Sequence, residues 1–62
     1  SHPLDEDINR RVIIQLEYNS NIQDSINKEI KNYEKNLDIK IKSFKIFKID
    51  KKLNTATIHV YY

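Results

Sequence analysis

Between residues 11 and 18 apolar and polar side chains alternate. Val12, Ile14, Leu16 and Tyr18 fall on one side, and Arg11, Ile13, Gln15 and Glu17 on the other. A period of two is the mark of a half-buried strand. After Asn19-Ser20-Asn21 the period lengthens. Ile22, Ile26, Ile30, Tyr33 and Leu37 recur at spacings of four, four, three and four, with polar residues between them. That is one apolar stripe of an amphipathic helix. Ser20 followed by Gln23 fits a capping box, in which the serine oxygen takes a backbone N–H and the glutamine reaches back. Asp24 and Lys28 add a favourable i,i+4 pair. The chain has no glycine, so Asn36 is the expected left-handed residue at the helix end.

Residues 39–49, Ile-Lys-Ile-Lys-Ser-Phe-Lys-Ile-Phe-Lys-Ile, interleave apolar and cationic side chains almost without a break. As one strand they would span about 36 Å, well beyond the common five or six residues. Strict alternation puts Ile39, Ile41, Ser43, Lys45, Phe47 and Ile49 on one face. Lys40, Lys42, Phe44, Ile46, Lys48 and Asp50 take the other. Lys45 inside and Phe44 with Ile46 outside are out of phase, which predicts a β-bulge near Ser43. A turn over 50–54 then leads into 55–62, where Ala56, Ile58, Val60 and Tyr62 alternate with Thr55, Thr57, His59 and Tyr61. The last two strands are close enough in sequence to form a hairpin.

The order β-α-β-β predicts an α+β module, with one amphipathic helix packed on one face of a three-stranded sheet. The helical stripe would bury Val12, Ile14, Leu16, Ile39, Ile41, Ala56, Ile58 and Val60. The other face would have no cover and would show Ile13, Phe44, Ile46 and Tyr61 among lysines and threonines. Contiguous exposed apolar surface marks interaction sites. Residues 1–10 read as a flexible polar arm, with Ser1-His2-Pro3 resembling a cloning remnant, and 11–62 as a single domain. No internal repeat or low-complexity tract interrupts it.

Sixty-two residues lie near the lower limit at which a chain buries enough surface to fold alone. With no cysteine, disulfides and thiolate metal sites are excluded. Oligomerisation is then the expected supplement to a thin core. The lack of cysteine and of a signal peptide fits a reducing, cytoplasmic setting. No apolar run approaches the roughly 20 residues of a membrane span. Ile, Lys and Asn supply 27 of the 62 residues, a bias towards AT-rich codons. The net charge of +2 is unevenly spread: 1–18 sum to −2, 19–37 to zero and 38–62 to +4. Such asymmetry bears on partners rather than on fold.

Little in the chain points to catalysis. Ser43 with His59 across the sheet lacks an acid to orient the imidazole, and no catalytic residue is expected. His2 and His59 are the only imidazoles, and Asp5, Glu6 and Asp7 lack the spacing of a calcium loop. Without glycine there is no phosphate-cradling loop, so neither metal nor cofactor is expected. The lysines offer more. Lys40, Lys42, Lys45, Lys48, Lys51 and Lys52, with aromatics beside them, resemble in outline the basic and aromatic sheets that hold single-stranded nucleic acid. Exposed strand lysines also serve to prevent edge-to-edge aggregation, and arginine is confined to Arg10 and Arg11. The expectation is therefore a non-enzymatic protein-interaction or assembly module acting through the sheet face and edge of 39–49. It would be a homodimer or bind a larger protein partner, through Ile13, Phe44, Ile46 and Tyr61. Nucleic-acid binding through the six lysines is the alternative.

Overall fold

The period-two segments form strands, and the four-four-three-four stripe a helix, in the computed structural model, which describes residues 6–62. Strand β1 (Arg11–Glu17) leads to helix α1 (Ile22–Leu37), then to β2 (Ser43–Asp50) and β3 (Thr55–Tyr61). The helix packs on a three-stranded sheet of order β1-β3-β2, antiparallel throughout. The fold is small α+β, as the alternation of periods predicts. The last strand is central. β1 and β2 flank it and run parallel to each other, with α1 carrying the chain from one edge towards the other.

Cross-strand partners share a face, so the register sorts the side chains. On the helix side lie the rows Val12–Val60–Phe44, Ile14–Ile58–Ile46 and Leu16–Ala56–Ile49. Ile22, Ile26, Ile30 and Tyr33 of α1 pack against Ile14, Ala56, Ile58 and Val60. Ile26, Ile58 and Val60 are the largest wholly buried side chains. Each contributes about 1.5–3 kcal/mol by leaving water.

Both expected helix caps move. Asn19, not Ser20, turns the chain into α1. Its Oδ1 accepts from the Asn21 N–H at 2.9 Å, and its carbonyl accepts from the Ile22 N–H at 3.1 Å. Asparagine side chains favour this turn because they mimic a backbone carbonyl. Asn21 is the N-cap without a side-chain bond, and Ser20 is exposed. At the other end Asp38 rather than Asn36 is left-handed, at φ 52° and ψ 46°, so the helix continues through Leu37. Glu34 Oε2 then accepts from the Ile41 N–H at 2.9 Å and fixes the exit.

The segment 39–49 is corrected most. Its strand begins at Ser43, while 39–42 form an irregular approach tied to β3 by the Lys42 N–H, which donates to the Tyr61 carbonyl at 2.8 Å. The break in register falls between Ile46 and Lys48, not near Ser43. Phe44 and Ile46 are drawn to the helix side by Val60 and Ile58, which puts Lys45 on the other face with no conflict of phase. Phe47 is the extra residue of the bulge, and Ile49 returns to the helix side opposite Ala56. Ile41 still packs on the core, and Ile39 is half-buried.

Residues 1–5 of the expected arm lie outside the described residues. Residues 6–10 are fastened down. Asp7 caps a single 3-10 turn, Ile8–Arg10, and the Tyr62 N–H donates to the Arg10 carbonyl at 2.9 Å. The Arg10 guanidinium donates from Nε to the Tyr62 carbonyl at 3.0 Å and sits 5.0 Å from the centre of its ring.

The β2–β3 hairpin turns without glycine. Asp50 Oδ1 accepts from the Lys52 and Leu53 N–H groups at 3.0 and 3.1 Å, and Asn54 takes the left-handed conformation at φ 53°. A left-handed backbone costs an ordinary L-residue roughly 1–2 kcal/mol, which asparagine partly escapes. Asn54→Ala should therefore lower unfolding free energy by about 1 kcal/mol, while Asn54→Gly should not lower it. Urea melts of the two variants followed by circular dichroism check this, and equal losses would show that the conformation at 54 is not what the hairpin requires.

Candidate interaction surface on the sheet

The face away from α1 is read from the complementary rows. These are Arg11–Tyr61–Ser43, Ile13–His59–Lys45, Gln15–Thr57–Lys48 and Glu17–Thr55–Asp50. Phe47 joins them because a bulge residue and its follower both oppose one partner residue. Its ring lies on the His59 ring with centroids 4.1 Å apart and planes 12° from parallel. His59 in turn meets Tyr61 edge-on at 6.5 Å. The three aromatic rings form one run across β2 and β3.

That run divides the expected patch. Tyr61 is 3% exposed, too deep to meet a partner. Glu6 lies at this end of the face, its Oε1 2.7 Å from Lys45 Nζ. Phe44 is half-buried against the core on the helix side. Ile46 is 41% exposed, but it too faces the helix side, beyond the cover of α1. Ile13 is the one expected contact that stands out on the helix-free face, at 54% exposure. Phe47, 60% exposed, was expected in the core. Taking Phe44 and Ile46 as core residues would have placed Phe47 outside, since no regular strand buries all three on one face.

His59 is 6% exposed between Ile13 and Lys45, roofed by Phe47. Burial foremost, and then the positive charges of Arg11 and Lys45, hold its imidazole below the usual histidine range. The hydrogen bond to Glu6 is the main influence holding the Lys45 ammonium above its ordinary range, against some desolvation. Ser43 lies one row from His59, opposite Tyr61, and the charges nearest His59 are cationic.

The lysines do not form one ladder. Lys45 and Lys48 lie on the helix-free face, Lys40 and Lys42 precede the strand, and Lys51 and Lys52 occupy the hairpin turn. All six are exposed. Among the described residues no cluster of three or more His, Asp or Glu side chains comes together to hold a metal, and no helix is long and apolar enough to cross a membrane. An open depression of about 730 Å3 at the sheet end is lined by Gln15, Glu17, Tyr18, Asn19, Leu53 and Asn54. Its polar lining is the Glu17 carboxylate with the amides of Gln15, Asn19 and Asn54 and the hydroxyls of Tyr18 and Thr55. No protein-family model matches the chain, and neither does any curated protein or solved structure.

Because the folded imidazole binds its proton less readily than the unfolded one, the unfolded state takes up more protons across the histidine range. Stability from His59 is thus complete above the ordinary histidine pKa of about 6.5 and is lost as pH falls from there through the lower folded value. Melting temperatures between pH 7.5 and 5 should fall for the unsubstituted chain and change less for His59→Gln. Parallel curves for the two would remove His59 as the cause.

Proposed function

We propose that this chain is a non-enzymatic protein-interaction and assembly module that works through its sheet and associates with copies of itself. The supporting observation is the helix-free face, where Ile13 stands exposed beside buried His59 and Phe47 lies exposed over it. An aromatic ring held flat on a second ring is a rigid, apolar contact, of the kind enriched at interface centres. Lys48, Gln15 and Thr57 beside it supply the polar rim. The surface expected at 39–49 is thereby redrawn: Phe47 replaces Phe44, and buried Tyr61 meets the edge of His59.

The face is small. Three strands of seven, eight and seven residues cover roughly 14 Å by 25 Å in plan, well under the ~800 Å2 per partner of a standard interface. Contacts through one such face are expected to be weak. Sedimentation of the unsubstituted chain should show mass rising with concentration above 7.5 kDa. Phe47→Ser and Ile13→Ser, at exposed positions, should reduce the largest mass reached while leaving the circular dichroism spectrum unchanged. A chain that stays monomeric to millimolar concentration, with or without these changes, would overturn the self-association.

The nucleic-acid reading rests on Phe47 with Lys48 beside it, a stacking ring next to a cation. The dispersal of the other lysines and the Glu6 partner of Lys45 leave it second. It would require retardation of single-stranded DNA or RNA that weakens with added salt and is lost on Lys48→Glu. An unshifted band at low salt removes it.

A further inference from the structure

We infer that the chain dimerises by pairing β1 with β1 of a second copy, forming one continuous six-stranded antiparallel sheet. This rests on the self-association proposed above and assigns its seat to β1 rather than to 39–49. Among the described residues β1 pairs only with β3, so its outer edge is open. The other open edge, that of β2, is interrupted by the bulge at Phe47 and lined by Lys45 and Lys48, the devices that discourage strand addition. β1 has neither: its seven residues keep unbroken register, with uncharged side chains from Val12 to Leu16.

The order of residues in β1 matches itself. In an antiparallel pairing centred on Ile14, Arg11 lies opposite Glu17 of the second copy, Val12 opposite Leu16, and Ile13 opposite Gln15. The two Ile14 residues meet at the two-fold axis. Both charge pairs are of opposite sign, and the helix-side positions are all apolar. Opposite charges directly across strands stabilise, and like charges destabilise. A two-fold dimer requires such a self-complementary patch.

The backbone follows the same register. Tyr62 N–H donates to the Arg10 carbonyl and Tyr18 N–H to the Asn54 carbonyl, one bond at each end of the β1–β3 ladder. Hydrogen-bonded pairs alternate along an antiparallel ladder. Val12, Ile14 and Leu16 therefore bond to β3, while Arg11, Ile13, Gln15 and Glu17 turn their N–H and carbonyl groups to the free edge. These four are the residues that become hydrogen-bonded pairs in the symmetric register, 11 with 17 and 13 with 15. A register shifted by one residue would set them against groups already used by β3. The dimer also lays the two helix-free faces side by side, doubling the area that carries Ile13 and Phe47.

The test uses the Phe47→Ser chain, in which contacts through the face are silenced, measured by sedimentation velocity. It should form a species of twice 7.5 kDa. Adding Gln15→Pro removes an outward N–H that β3 does not use, so the sheet should survive by circular dichroism and the dimer should be lost. Adding Glu17→Arg alone, or Arg11→Glu alone, sets two like pairs across the edge. Each should weaken dimerisation about tenfold. An equimolar mixture of these two chains should regain it as a heterodimer, because every cross-edge pair is again opposite in sign. Persistence of the dimer in a folded Gln15→Pro chain, or no gain on mixing, would overturn the assignment to β1. A Phe47→Ser chain that is monomeric while the unsubstituted chain assembles would overturn it too, and would leave association through the face standing.

Discussion

The central place of β3 governs this molecule. Among the described strands it alone has partners on both sides, and it lies beneath α1 on one face and the Phe47 ring on the other. From Ala56 to Tyr61 all residues but Thr57 are buried. No charged side chain occurs in Thr55–Tyr61, as burial on both faces requires. Because β3 comes last in the chain, the sheet closes only when residues 55–61 insert between strands that precede them. Both pairings end near Tyr61: Arg11 meets it from one side and Ser43 from the other. Arg10, just before β1, and Tyr62, just after β3, then tie these two strands together.

With β3 in the middle, the faces of β2 follow from a single residue. A slip of one position in a strand exchanges every side chain between faces. Phe44 and Ile46 match Val60 and Ile58, and Ile49 matches Ala56, but three residues separate 46 from 49. The bulge absorbs that odd step at Phe47 and leaves the ring outside. The same step stacks it on His59, so one irregularity produces both the exposed aromatic contact and the burial of an imidazole beneath it. Burial there, and then the cationic neighbours Arg11 and Lys45, hold that imidazole below the usual histidine range.

The edges are the second consequence. A sheet of three strands around one helix must leave two edges, and this chain treats them differently. The bulge and lysines of β2 oppose pairing with another strand, whereas β1 offers a regular edge whose charges are complementary to themselves. In the proposed dimer that edge supplies the hydrogen bonds and apolar rows a 62-residue core lacks, and it joins two small faces into a larger one. Stability and surface would then have the same origin.

Much of this was legible from periodicity. The α+β class, β1, the stripe of α1, the hairpin and the core of β3 all follow from spacings of two and of three to four. Local side-chain competition was less legible: Asn19 displaced Ser20 at the helix start because its side chain reaches a backbone N–H two residues on, and Asp38 displaced Asn36 because the stripe runs through Leu37. In residues 39–49 the alternation fits either face equally well. The choice came from the apolar partners waiting on β3 and the helix above them, contacts distant in sequence. Hence Phe44 turned to the helix side and Phe47 away from it. A period states that a strand has two sides, while the register with its neighbour states which side is buried.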